Sequence, residues 1–111
     1  MVLDRKLLGY KGEELACYVM KERGYEIIAR NYITKLGEID IIAYKDGVLV
    51  FCEVKTRLAG PYGDGREAVN IRKQSKIRKC AEIFMMSTGI SYDYCEFHVI
   101  EITIEHLGNC F

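Results

Sequence analysis

Gly37-Glu38-Ile39-Asp40-Ile41-Ile42-Ala43-Tyr44-Lys45-Asp46-Gly47-Val48-Leu49-Val50-Phe51-Cys52-Glu53-Val54-Lys55-Thr56-Arg57 is the stretch that decides the fold. Asp46-Gly47 separates two alternating apolar runs, and a tight hairpin turn of this kind needs positive φ at both central residues. With a two-residue turn, Lys45 lies opposite Val48, Ile42 opposite Phe51, Asp40 opposite Glu53 and Glu38 opposite Lys55. Side chains alternate with period two, so Glu38, Asp40, Glu53 and Lys55 are expected on one face at one end of the hairpin. Ile39, Ile41 and Ala43 then share the other face with Val50, Cys52 and Val54 as continuous core. Near the turn Ile42, Tyr44, Leu49 and Phe51 make the first face apolar as well. A strand pair covered on both sides except at one charged end predicts a pocket at that end.

Asp40 opposite Glu53 is the pair that points to chemistry. Cross-strand neighbours lie roughly 4.5–5.5 Å apart, where like charges destabilise a sheet. A cation must offset the repulsion, and a divalent metal held by both carboxylates is the simplest candidate, with Mg²⁺ (or Mn²⁺) suited to oxygen ligands. Such an ion polarises a phosphate and lowers the pKa of a bound water. Lys55, on the same face, is placed to orient that water or to neutralise developing charge. Structural alternatives stand beside this reading: Glu38–Lys55 as a plain salt bridge, Asp40 protonated or bonded to a backbone amide, or a bulged turn that slips the register by one.

Outward from the hairpin, Leu7 to Arg23 reads as a helix ended at Gly24, with Leu15, Val19, Leu8 and Tyr18 expected along its inward stripe. Tyr25 to Thr34 reads as a strand rich in β-branched and aromatic residues. The hairpin supplies strands over Ile39–Tyr44 and Val48–Lys55, and Leu58 to Gly65 reads as a loop. Arg66 to Ser87 follows as a second helix with Val69, Lys73, Ile77, Cys80, Ala81 and Phe84 on its stripe, ended by Gly89. Phe97 to Ile104 is the last strand. The order αβββαβ predicts an α/β domain over residues 1–111, a small mixed sheet flanked by helices.

The 111 residues suit one domain, and 16 Lys plus Arg against 16 Asp plus Glu leave no global positive field. Five scattered cysteines without a C-x-x-C pair read as reduced, mostly buried thiols. The first residues hold no apolar run long enough for a signal peptide or membrane span, so a cytoplasmic protein with no membrane partner is expected. A basic patch is local: Arg66, Arg72, Lys73, Lys76, Arg78 and Lys79 against one acidic residue, Glu67. Such a run is often only a solvated helix face, but Lys73 sits on the apolar stripe, where an unpaired ammonium is costly. Arg57, Asn31, Tyr32, Tyr62 and the Gly60–Gly65 loop are further candidates for the rim of a groove.

G-E-I-D-I-I-A, twelve residues between Asp40 and Glu53, and E-V-K-T-R resemble the YraN-type family of small bacterial proteins. Gly12-Glu13 with Ala16, Gly24-Tyr25, Asn31-Tyr32 and Lys73 extend the resemblance over nearly the whole chain. That family is similar in fold to archaeal Holliday junction resolvases within the restriction-endonuclease-like PD-(D/E)xK superfamily. The resemblance implies Asp40 and Glu53 as metal ligands, Lys55 as the catalytic lysine and Glu13 as a further acidic ligand from the first helix. Glu38 is implied less directly, as a supporting carboxylate or the partner of Lys55. Family members commonly carry an R-F-D-like segment where this chain has Glu96-Phe97-His98, so an aspartate gives way to a histidine, which is read here as structural. The expected function is Mg²⁺-dependent hydrolysis of nucleic-acid phosphodiesters, DNA foremost, with branched DNA as one candidate form. Lys73, Arg57, Arg72 and Lys76 are the expected nucleic-acid contacts, and the resemblance to dimeric resolvases points to a homodimer. The rival readings are a non-catalytic nucleic-acid-binding protein on the same fold and a protein-interaction domain whose hairpin charges form an interface.

Overall fold

The computed structural model describes residues 3–60 and 69–111. In chain order these form α1 (Arg5–Glu22), β1 (Glu26–Thr34), β2 (Gly37–Lys45), β3 (Val48–Leu58), α2 (Ile71–Thr88) and β4 (Tyr94–Ile104). The αβββαβ order is the expected one. The strands lie side by side as β1-β2-β3-β4, antiparallel except for β3 and β4, which run parallel. Parallel neighbours need a crossover, and α2 is that crossover. One helix covers each face: Ala16, Cys17 and Met20 of α1 pack on Ile41, Ala43, Val50 and Cys52, while Ile77, Cys80, Ala81 and Phe84 of α2 pack on Ile39, Ile42, Leu49 and Phe51. Of the five thiols, all free, Cys17, Cys52 and Cys80 are buried.

Asp46 and Gly47 take φ of 49° and 82°, and the register runs as expected from Lys45↔Val48 to Ile41↔Cys52. There the backbone ladder between β2 and β3 stops. The Val54 N–H, which the same register would offer to Ile39, donates instead to Asp40 Oδ2 at 2.7 Å. Directly across from Asp40 in β1 stands Asn31, left-handed at φ 51°. This conformation is uncommon outside glycine and is best tolerated by asparagine. The side-chain alternation breaks at this point, and Ile39 packs with Ile42 under α2 and not with Ile41 and Ala43. The expectation of a single core face through Ile39, Ile41 and Ala43 is corrected accordingly.

The face of α1 is also corrected. Leu15 and Tyr18 are exposed, and the buried residues are Gly12, Ala16, Cys17 and Met20. Small side chains let the helix lie close to the sheet, and Gly12 rides directly over Thr56. α2 begins at Ile71, later than the expected Arg66, because the Asn70 side chain caps it by accepting from Lys73 N at 2.8 Å. Arg66 itself lies outside the described residues, as do Glu67, Tyr62 and the loop beyond Gly60. Tyr32 is not at a groove: its ring meets Phe84 edge-on, centroids 5.3 Å apart, in the α2-side core. No helix among the described residues is long and apolar enough to cross a membrane.

Gly12→Ala is expected to cost about 1–3 kcal/mol by overpacking against Thr56. The sign is diagnostic, because glycine to alanine inside an unobstructed helix stabilises by up to about 1 kcal/mol. Thr56 Oγ1 is buried without a hydrogen-bond partner, so Thr56→Ala should recover most of the loss in the double variant. Urea denaturation of the four proteins checks this, and a stabilised single Gly12→Ala variant would contradict the close helix–sheet contact.

Candidate metal and phosphate site

A cleft of about 570 Å³ opens where the β2–β3 ladder stops. Glu38, Asp40 and Glu53 line one wall, and Asn70, Arg72, Lys73 and Lys76 of the first turns of α2 line the other. The carboxylate cluster draws on three elements, and Glu13 belongs to it without lining the cleft. Glu13 arrives from α1, Glu38 and Asp40 from β2, and one carboxylate oxygen of each lies within 4.8 Å of the others. Asp40 is also within hydrogen-bonding reach of Glu53 on β3. Asn31 ties the group together. With its amide nitrogen turned toward the carboxylates, the orientation its neighbours demand, it donates to Glu13 Oε1 (2.9 Å) and Glu38 Oε1 (3.2 Å).

Burial pushes the Asp40 carboxyl up to about 7, and the charges of Glu53 and Glu13 add to the rise against the lowering effect of the Val54 N–H. Glu13 is raised by the same cause, burial first, with Arg30 opposing. Glu53 is the most enclosed of the four at 7 % exposure, and its charge is met by the Lys73 ammonium, an ion pair across the cleft. Lys73 therefore reaches inward from its stripe as its position implies, while remaining 48 % exposed at the cleft mouth.

The structure brings together Glu13, Asp40 and Glu53 among the expected carboxylates, and Lys73, Arg72 and Lys76 among the expected cationic residues. Two residues fall elsewhere. Lys55 lies two positions beyond Glu53 on β3 but does not line the cleft, and it forms no ion pair with Glu38 or any other described residue. Arg57 is not at the cleft either; its Nε bonds Glu101 Oε1 on β4 at 3.2 Å. Glu38 and Asn31 matter more than their sequence context suggests. Glu38 joins the carboxylate trio from two positions before Asp40 on β2, and Asn31 supplies the amide that bridges Glu38 to Glu13 from a left-handed position within β1.

Three carboxylates in reach of one another are a hard-oxygen donor set, which fits Mg²⁺ or Mn²⁺ and offers nothing for a soft metal. The chain is a small α/β protein with a two-walled cleft, acidic on one side and basic on the other. The profile described as "Uncharacterised protein family UPF0102" matches residues 12–102. A UPF0102 protein of Alkaliphilus oremlandii is 43 % identical over 96 % of this chain and 98 % of its own length. Another from Desulforamulus reducens is 42 % identical over 98 % and 91 %, and one from Clostridium botulinum is 44 % identical over 94 % and 85 %. The chain belongs to the UPF0102 family, which is the YraN-type family of the resemblance.

The raised Asp40 value has a definite consequence for stability. In the unfolded chain the group returns to its ordinary value of 3.8, so the native state binds this proton more tightly. The resulting stabilisation is complete below about pH 4 and is lost as pH rises through about 7. Asp40→Asn keeps an oxygen for the Val54 N–H and carries no charge. In metal-free buffer its stability should match wild type near pH 4 and exceed it increasingly toward pH 8. Denaturation curves across that range test this, and a difference that does not change with pH would show that Asp40 is not the strained carboxylate.

Proposed function

We propose that this protein is a metal-dependent nuclease that hydrolyses nucleic-acid phosphodiesters, with DNA as the principal substrate. The observation that carries the proposal is the facing of Glu38, Asp40 and Glu53 by Arg72, Lys73 and Lys76 across one cleft, with a Glu13 oxygen within 4.8 Å of Glu38 and Asp40. A phosphodiester needs both halves, cationic contacts for its oxygens and a carboxylate-held divalent ion at the phosphorus. The αβββαβ order, the mixed sheet and the D-x12-E-x-K spacing agree with the restriction-endonuclease-like class implied by the resemblance.

In this reading Asp40, with Glu13 and Glu38 or Glu53, would hold Mg²⁺ or Mn²⁺. When bound, the ion polarises the phosphate and lowers the pKa of an adjacent water. Asn31 keeps the Glu13 and Glu38 oxygens converged. Arg72 and Lys76 would hold the phosphates flanking the scissile one, and Lys73, paired with Glu53 at the cleft mouth, would contact a substrate oxygen. Lys55 supplies the electrostatic contribution of the motif's lysine, its side chain swinging toward the scissile phosphate when substrate arrives. A homodimer is the assembly that accompanies this class.

One observation favours a second reading, a nucleic-acid-binding protein without turnover: Lys55 stands outside the cleft. The two readings part on experiment. Mg²⁺ or Mn²⁺ should raise the melting temperature of wild type by binding only the folded state, and Glu13→Gln, Glu38→Gln or Asp40→Asn should each weaken the metal isotherm in calorimetry. Identical isotherms for wild type and all three variants would dismiss the trio as the metal site.

Lys55→Ala should leave DNA affinity nearly intact and reduce cleavage by about 10²–10³, the usual cost of one preorganised charge. Lys55→Arg should restore little, since a planar guanidinium cannot place a point charge in the same spot. Cleavage rate and affinity measured together on one substrate decide the matter. A fully active Lys55→Ala enzyme removes the lysine from catalysis, and a wild type that binds DNA in a salt-dependent manner but cleaves no substrate selects the binding reading.

A further inference from the structure

A second, smaller cavity of about 250 Å³ adjoins the cleft and shares Glu53 and Ile77 with it. It lies between α2 and β4, and its chemistry differs from the cleft's. Its walls are Phe51, Phe97, Val69, Ile77 and Val99, and its polar groups are Gln74, Arg78 and His98 beside Glu53. Flat groups are already layered there. Phe97 stacks on Phe51 with centroids 5.6 Å apart and planes 28° from parallel. The Arg78 guanidinium lies 4.7 Å over the Phe97 ring. Phe97 nevertheless remains 38 % exposed, which is high for a phenylalanine stacked on a core ring. Gln74 Nε2 donates to the Val69 carbonyl at 2.7 Å, which orients the amide and presents its oxygen as a fixed acceptor.

We infer that this cavity is a nucleobase slot, and that the substrate class is nucleic acid with an unpaired nucleotide beside the bond that is cut. The inference rests on the proposed nuclease reading and adds to it the state of the base. A base offers a flat π-face for the Phe51–Phe97–Arg78 layers, and a hydrogen-bonding edge for Gln74. The space holds one flat ring system and falls below the usual size of a drug-like pocket. Because Glu53 and Ile77 border both cavities, a nucleotide with its phosphate against Lys73 and Arg72 has its base within reach of the slot. A base locked in a duplex cannot enter. Single strands, flaps, frayed ends and branch points can present one.

The test compares a thymine homo-oligonucleotide, an abasic chain of the same length and charge, and a blunt duplex. Affinity is read by fluorescence anisotropy with Ca²⁺ in place of Mg²⁺ to hold cleavage off. Wild type should bind the thymine chain about 5- to 150-fold more tightly than the abasic one, the range one stacked base provides. Phe97→Leu keeps apolar volume but loses the plane, and Arg78→Lys keeps the charge but loses the plane. Each should bring the thymine and abasic affinities together while leaving duplex affinity unchanged. Thermal unfolding confirms that the variants are folded; Arg78 is exposed, so its variant carries the test if Phe97→Leu does not fold. Equal wild-type affinities for the thymine and abasic chains, or discrimination that survives in Arg78→Lys, overturns the slot. In that case salt-dependent binding of either chain leaves the nuclease reading standing. A wild type that binds none of the three overturns both.

Discussion

Four carboxylates converge at one half-buried end of the sheet, and much of the structure is arranged around the cost of that convergence. Like charges across a strand pair oppose folding, and enclosure makes the opposition stronger. Three local responses are visible. Asp40 draws on the Val54 N–H and interrupts the β2–β3 ladder to do so. Asn31 adopts a left-handed backbone and bridges Glu13 to Glu38. Lys73 is aimed inward from α2 to cover Glu53. None of these removes the excess negative charge. Burial together with the neighbouring carboxylates leaves Asp40 holding a proton to near neutral pH.

The same three responses give the cleft its form. Where the ladder stops, the sheet has no rung to fill the space, and α2 faces the gap with its capped first turns. The walls are contributed by β2 and β3 on one side and by α2 and its cap on the other, so the charge separation follows from topology and not from the net charge, which is zero. Beside it, β4 brings Phe97 against Phe51, an aromatic floor built across two strands. The charged cleft and its flat neighbour share a border at Glu53.

Much of this was legible in the sequence because the hairpin left little freedom. Asp46-Gly47 determined the turn, the turn determined the register, and the register placed Asp40 and Glu53 side by side. Lys73 was conspicuous as a charge on an apolar stripe. What could not be read depended on features without a hydrophobic signature. Gly12 and Ala16 direct α1 onto the sheet by being small, while the larger Leu15 and Tyr18, which drew the expected stripe, stay exposed. The switch of Ile39 to the other face follows from a single left-handed residue in the neighbouring strand, which periodicity cannot register. The pairing of Arg57 with Glu101 joins residues 44 positions apart and leaves no local trace. The start of α2 was readable, since Asn70 is a good capping residue, but the basic run from Arg66 masked it.

The parallel pairing of β3 with β4 has a bearing on how the molecule assembles. β1, β2 and β3 form an antiparallel meander of short connections, which closes with little loss of chain entropy. The parallel strand can join only after the chain has travelled through α2, a longer closure and an intrinsically slower one. Glu38, Asp40 and Glu53 thus lie on the part of the chain that gathers first, whereas Lys73 and Phe97 arrive with the part that gathers last. A chain caught midway would carry the carboxylates without their cations.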